Sequence, residues 1–117
     1  MAFVATAQPD KARTFYADVL GLTLTAEDPF ALTFDADGTM LRVAIVDQLH
    51  PQPFTVLGWI TSDIASTAQT LAARGVVFTR YEWMEQDVQG VWTAPGGARV
   101  AWFKDPDGNT LSITQLT

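Results

Sequence analysis

The sequence predicts an α+β fold in which two βαβββ modules follow one another in a single domain. Two segments have a clear helical period, and each is flanked by runs of strand composition, so the same order of elements occurs twice in 117 residues. The last two runs of each module flank a turn sequence, DADG at 35–38 and DPDG at 105–108. We divide the chain into a first module over residues 1–46, a linker over 47–53 and a second module over 54–117.

Each module contains one amphipathic helix. Pro9–Leu20 places apolar residues at i, i+3, i+4, i+7 and i+8, with Pro9 suited to a first helical turn and Gly21 to the end. Asp63–Arg74 repeats this design, and Gly75 follows it.

Runs rich in β-branched and aromatic residues predict the strands. In the first module the predicted strands are Phe3–Thr6, Leu22–Thr25, Phe30–Phe34 and Thr39–Val46. In the second module they are Phe54–Ile60, Val76–Arg80, Arg99–Phe103 and Thr110–Gln115.

Landmark glycines locate an insertion in the second module. The helix-terminating glycines are 54 residues apart and the turn glycines, Gly38 and Gly108, are 70 apart, so 16 residues are added between these landmarks. We assign them to Glu82–Gly97, a segment that includes Trp83 and Trp92. A long loop with large aromatic residues is typical of the rim of a binding site, and the alternative is a lid that only covers a sheet edge.

Composition excludes several classes of function. The net charge is −6 and the seven basic residues are scattered, so neither nucleic acid nor an anionic membrane surface is an expected partner. The chain has no cysteine, which excludes disulfides and thiolate chemistry. No apolar run is long enough to span a membrane, and the N-terminus lacks a signal-peptide pattern. We therefore expect a soluble cytoplasmic protein.

Three stretches of the chain resemble the vicinal oxygen chelate superfamily, which includes glyoxalase I, bleomycin-resistance proteins and extradiol dioxygenases. These stretches are KARTFYADVLGL (11–22), LAARGV (71–76) and WFKDPDGNTLSITQ (102–115). The resemblance implies a small single-domain member whose modules curl into an open, curved, mixed-sheet cup that usually belongs to a homodimer. In this superfamily, the cup binds a metal and the substrate.

The resemblance also implies where metal ligands would lie. One carboxylate ligand follows the turn glycine by four residues, and other ligands lie on the strand before each helix. In this sequence, the corresponding residues are Met1, Arg42, Val56 or Leu57, and Ser112. None offers the imidazole or carboxylate donors that a divalent metal prefers, and the single histidine, His50, lies in the linker. We therefore expect no metal cofactor.

A metal-free cup can still bind a small molecule through aromatic walls and a few polar anchors. The predicted ligand-binding residues are Arg42, Ser112, Thr114, Trp59, Trp83 and Trp92. Arg42 would suit a carboxylate or phosphate, although an ion pair with Asp47 is an alternative, and Trp59 would suit an interface equally well. No catalytic residue can be assigned.

Three hypotheses about function follow. The first is a protein that binds a small, partly aromatic or anionic molecule without a metal, as the bleomycin-resistance branch does. The second is an enzyme of the superfamily, a glyoxalase-like lyase or dioxygenase, with a non-standard or misaligned site. The third is a dimer whose partner is another protein and whose cup is closed by side chains.

Overall fold

The computed structural model describes residues 1–117 and confirms the α+β class with two modules of similar topology. The first module contains β1 (Ala2–Thr6), α1 (Pro9–Thr14), a π-helical turn (Phe15–Val19), β2 (Thr23–Glu27), β3 (Ala31–Ala36) and β4 (Thr39–Ile45). The second contains β5 (Thr55–Ile60), α2 (Ile64–Ala73), β6 (Trp92–Thr93), β7 (Arg99–Lys104) and β8 (Thr110–Gln115). Neither helix is long and apolar enough to cross a membrane.

The two mixed sheets have equivalent strand orders, β1-β4-β3-β2 and β5-β8-β7-β6. In each sheet the strand before the helix pairs in parallel with the last strand of the module, and the other pairs are antiparallel. The chain forms two compact units, and the loop Asp105–Asn109 belongs to the first of them, together with Met1–Pro53. The second unit consists of Phe54–Lys104 and Thr110–Thr117.

The core of the first unit lies between its helix and one face of its sheet. Alternation along β3 and β4 directs Leu32, Phe34, Leu41 and Val43 to this face, and all four are buried. Tyr16 is buried against them, with its ring centroid 5.8 Å from that of Phe34. Burial of side chains of this size stabilises the fold by about 1.5–3 kcal/mol each.

The core of the second unit follows the same plan. Three buried residues of α2, Ile64, Ala68 and Leu71, are spaced at i, i+4 and i+7, so they share one helix face. They pack over β7 and β8, where the buried apolar residues are Ala101, Phe103, Leu111 and Ile113.

The first helix differs from its prediction, because only Pro9–Thr14 is α-helical and Phe15–Val19 forms a π-helical turn. The amide of Leu20 donates to the carbonyl of Phe15, five residues earlier, at 3.0 Å. The apolar pattern could not reveal this widening, since it still places Ala12 and Tyr16 on the buried side.

The predicted strand Val76–Arg80 is wrong as a continuous strand. Only Phe78 forms a bridge, to Phe103, and the Thr79 amide donates to the Trp102 carbonyl at 2.8 Å. The chain then leaves the edge of β7 over residues 80–91, a segment that we call the excursion, and β6 completes the edge. The PGG sequence within 94–98 forms the turn between β6 and β7.

The loop Asp105–Asn109 is held in the first unit by a buried carboxylate. Asp105 Oδ2 accepts hydrogen bonds from the Tyr16 hydroxyl at 2.7 Å and from the Asn109 side-chain amide at 2.8 Å, and its Oδ1 accepts from two loop amides. Asp107 accepts from the Thr6 hydroxyl and from the Ala7 amide. These bonds fix the loop to the end of β1.

We predict that Tyr16→Phe lowers the free energy of unfolding at pH 7 by about 1.5–3 kcal/mol, because the mutation removes a hydrogen bond to a buried carboxylate. Burial and the charge of Asp105 raise the pKa of Tyr16 above its ordinary value. The contribution of Tyr16 is therefore complete below the unfolded-state pKa of about 10. It should fall by about 1.4 kcal/mol per pH unit above that value, because only the unfolded state ionises.

Urea titrations of wild type and Tyr16→Phe between pH 7 and pH 11 measure this difference directly. The other tyrosine, Tyr81, is present in both proteins and so does not contribute to the difference between them. Equal stability of the two proteins at pH 7, or a difference that does not shrink at high pH, would contradict the role given to this hydroxyl.

Candidate functional site

In each sheet, we call the face that points away from the helix the helix-free face. On the first sheet, Phe3 and Thr33 are the register partners of Arg42, so the three side chains form one row on this face. Arg42 is half-buried, and the salt bridges of the structure involve Arg13 and Arg99 instead. The alternative pairing with Asp47 therefore does not form.

On the second sheet, the corresponding row consists of Gly58, Ser112 and Trp102. Thr114 lies two residues further along β8 on the same face, beside Ile60 and Val100. Ser112 is 7% exposed, and a Cβ atom built on Gly58 would lie only 2.6 Å from its Oγ. The missing side chain at Gly58 therefore makes room for the Ser112 hydroxyl.

Four aromatic residues, which we call the aromatic cluster, extend from this row: Tyr81, Trp83, Trp92 and Trp102. The ring of Trp102 contacts those of Tyr81 and Trp92, with centroid distances of 5.7 and 6.1 Å, and Tyr81 also contacts Trp83 at 5.7 Å. The Trp102 indole N–H donates to Thr55 Oγ1 at 3.0 Å, which fixes the ring plane. Trp83, at the end of the cluster, is 78% exposed.

The excursion contributes Tyr81 and Trp83 to this cluster, and the side chain of Gln86 holds Tyr81 in place. Its Oε1 accepts from the Tyr81 amide at 2.9 Å, and its Nε2 donates to the carbonyls of Thr79 and Gly90 at 3.0 and 2.8 Å. One amide side chain thus ties the start of the excursion to its end, and Tyr81 is held beside the sheet.

Asp87 organises the distal turn of the excursion. Its Oδ1 accepts from the amides of Gln89 and Val91 at 2.8 and 3.0 Å, and its Oδ2 lies 3.9 Å from the Arg99 guanidinium. An acidic side chain used in this way shapes the turn. The excursion is therefore an ordered loop whose polar groups are largely satisfied from within.

The structure places five of the six predicted site residues in three groups. Ser112 and Thr114 are on the helix-free face of the second sheet, Trp83 and Trp92 are in the aromatic cluster, and Arg42 is on the helix-free face of the first sheet. Trp59 pairs with Ile113 and so points to the helix side, away from these residues.

Sequence reasoning missed Tyr81, and it did not include Trp102 among the predicted ligand-binding residues because a tryptophan next to Phe103 in a strand is more typical of a core or dimer interface. Pairing across the DPDG hairpin places Trp102 opposite Ser112, so the hairpin register was the signal that could have identified it. No comparable signal existed for Tyr81, because its position depends on the path of the excursion.

The residues at the metal-ligand positions that the resemblance implies do not fit a metal. Met1 is 70% exposed, Val56 lies in the irregularity between Thr55 and Leu57, and Leu57 points to the helix side. Arg42 and Ser112 supply a guanidinium and a hydroxyl, which are poor ligands for a divalent cation. The structure also contains no group of three or more His, Cys, Asp or Glu residues arranged to hold a metal ion.

Comparison with known proteins identifies the superfamily to which this protein belongs. The chain matches the family model of the Glyoxalase/Bleomycin resistance protein/Dioxygenase superfamily over residues 1–113. The protein therefore belongs to this superfamily. A search among curated proteins finds no significant match.

Solved structures agree with this assignment. A superfamily member from Sphaerobacter thermophilus DSM 20745 is 29% identical, with a TM-score of 0.74 and coverage of 98% of this chain and 94% of the other. The antibiotic-binding protein TnmS3 from Streptomyces sp. CB03234 is 25% identical, with a TM-score of 0.69 and coverage of 98% and 92%. Lactoylglutathione lyase from Agrobacterium tumefaciens is 19% identical, with a TM-score of 0.72 and the same coverage, and shows the shared fold.

The close approach of Gly58 and Ser112 gives a test of this local geometry. Gly58→Ala should destabilise the protein by about 1–2 kcal/mol, because the new methyl group collides with the Ser112 hydroxyl in a packed site. In a Ser112→Ala background the same change should be neutral or stabilising, since the methyl group then restricts only the unfolded chain. A double-mutant cycle of urea unfolding measures the coupling. Equal effects of Gly58→Ala in both backgrounds would show that the two positions do not touch.

Proposed function

We propose that this protein binds a small aromatic molecule at the aromatic cluster, without the help of a metal. The observation that carries the proposal is the exposure of Trp83 at the end of a contiguous set of aromatic rings held by an ordered loop. An exposed apolar surface of this kind is unfavourable in water and marks an interaction site.

The chemistry of the cluster favours planar aromatic ligands. Its rings meet at different angles, from 36° between Trp92 and Trp102 to 89° between Tyr81 and Trp102, so both ring faces and ring edges are presented. An aromatic ligand can stack on one ring and meet the edge of another, and each such pair is worth about 0.5–1.5 kcal/mol beyond simple burial. The hydroxyl of Ser112, which lies opposite Trp102 on the neighbouring strand β8, is a candidate polar anchor.

The comparison with TnmS3 supports this proposal. TnmS3 is an antibiotic-binding protein, and it is similar to this chain over nearly the whole length of both. The lactoylglutathione lyase shares only the fold, so the alternative of an enzyme with a non-standard site stays a hypothesis. Homodimer formation, which the family resemblance implies, also stays a prediction.

A thermal-shift screen of aromatic metabolites and antibiotics tests the proposal, followed by titration of the best hit. Trp83→Ala should weaken binding by about 1 kcal/mol or more, because it removes an exposed stacking surface. Gln86→Leu should also weaken binding, since it releases the Tyr81 amide and the end of the excursion.

Phe30→Ala is the matched control, because Phe30 is a similarly exposed aromatic residue, 75% accessible, on the first unit. It should leave affinity unchanged. A hit whose affinity responds to Phe30→Ala as much as to Trp83→Ala would reveal non-specific hydrophobic adsorption and reject the cluster as the site.

The residues at the expected metal-ligand positions are poor donors for a divalent cation. We therefore predict that the purified protein carries no stoichiometric zinc, nickel, iron or manganese after dialysis. Elemental analysis by mass spectrometry measures the metal content per chain. Chelator treatment should change neither the melting temperature nor the affinity for an aromatic hit. About one metal ion per chain, retained through dialysis, would overturn the metal-free part of the proposal.

Arg42 is a separate candidate for binding an anion on the helix-free face of the first sheet. Its guanidinium can bind a carboxylate or phosphate in a bidentate manner, and Phe3 beside it is 59% exposed. With phenyl phosphate as the probe, Arg42→Gln should cost about 1.5–3 kcal/mol of binding free energy and change stability much less. Unchanged affinity in Arg42→Gln, measured by calorimetry, would remove Arg42 from the site.

A further inference from the structure

A cavity lies beside α2, and its lining includes no residue of the aromatic cluster. We call it the α2 groove. Its volume is about 430 Å³, within the range of small-molecule sites. Its lining includes Ala68 and Ala72 of α2, Val77, and Arg80, Val88 and Gly90 of the excursion. We propose that the α2 groove binds small amphiphilic carboxylates, molecules with a short apolar chain and one carboxylate group.

The walls of the groove are apolar and leave space for a chain. The α2 side contributes the small residues Ala68 and Ala72, which leave room in the groove. On the excursion side, Gly90 packs closely against Phe78, since a Cβ atom at Gly90 would lie 3.0 Å from that of Phe78. Two valines at the groove, Val77 and Val88, are 84% and 96% exposed. Such exposure is unfavourable for β-branched residues in water, and an apolar chain in the groove would relieve it.

The positive charge in the lining of the groove favours a ligand with a carboxylate head group. Arg80 is the only charged residue of the lining, and no acidic side chain is present. One N–H of its guanidinium donates to the Asp87 carbonyl, and it takes part in none of the salt bridges. The other N–H groups remain able to bind a carboxylate in the bidentate geometry that arginine favours.

The groove has a fixed shape because its two walls are joined at one end. Gln89 of the excursion donates through its side-chain amide to the Ala65 carbonyl of α2, at 3.1 Å. The Gln86 bonds described above hold the excursion on the sheet side. A ligand would therefore meet a preformed groove and pay little to order it.

Octanoate, 1-octanol and octyltrimethylammonium are suitable probes, used below micelle-forming concentrations and followed by amide chemical shifts in NMR. Octanoate should cause saturable shifts at Ala68, Ala72, Val88 and Gly90. The affinities of the two other probes should be lower than that of octanoate by about tenfold or more, since neither pairs with a guanidinium.

Three variants separate the contributions of charge and shape. Arg80→Gln should weaken octanoate binding about tenfold and leave octanol unchanged, whereas Arg80→Lys should retain most of the octanoate affinity. Lys11→Gln removes the same charge from an exposed site on the first unit and should have no effect. Ala72→Phe fills the groove and should abolish the binding of all three probes.

The absence of saturable shifts at the groove would overturn the proposal, as would equal affinities for octanoate and octanol. An unchanged octanoate affinity in Arg80→Gln would do the same. Shifts confined to Tyr81, Trp83 and Trp102 would reject the α2 groove and leave the proposed function of the aromatic cluster intact. The two proposals therefore fail independently.

Discussion

The hydrogen bonds to the buried carboxylate of Asp105 fix the conformation of the loop that joins β7 to β8. An ionised carboxylate with 6% exposure would cost several kcal/mol if it lacked partners. Here it accepts four hydrogen bonds, from the Tyr16 hydroxyl, the Asn109 side chain and two loop amides. The loop length fixes the strand register, and this register places Trp102 opposite Ser112. A change in the loop would therefore displace the residues that we propose to bind a ligand.

The two modules differ most at a single sheet edge, and this difference creates the candidate sites. In the first sheet, β2 runs along β3 with only one irregularity. In the second sheet, the edge of β7 is shared by Phe78 and β6, and the excursion leaves between them. On the sheet side the excursion brings Tyr81 and Trp83 to Trp102, and on the other side it forms one wall of the α2 groove. One inserted loop thus supports two chemically different surfaces.

Much of the fold could be predicted because it follows from local rules. The DADG turn, for example, places Asp37 and Gly38 at positive φ, as a two-residue hairpin requires. The π-helical turn and the broken edge strand could not be predicted, because each is a tertiary adjustment with no periodic signature. At the site, alternation along β4 and β8 located Arg42, Ser112 and Thr114 on helix-free faces. Trp59 instead lies on the helix side, since the irregularity near Val56 changes which residues of β5 face the helix.

The binding of an aromatic molecule at the aromatic cluster can be tested most directly through the tryptophan side chains themselves. The four tryptophans give four indole N–H signals in an NMR spectrum, and Trp59, on the helix side of the second sheet, is an internal control. With the tightest aromatic compound from the screen and metal-free protein, we expect the signals of Trp83, Trp92 and Trp102 to shift saturably and that of Trp59 to stay in place. A shift confined to Trp59, or a shift of the three cluster signals only after metal is added, would contradict the account.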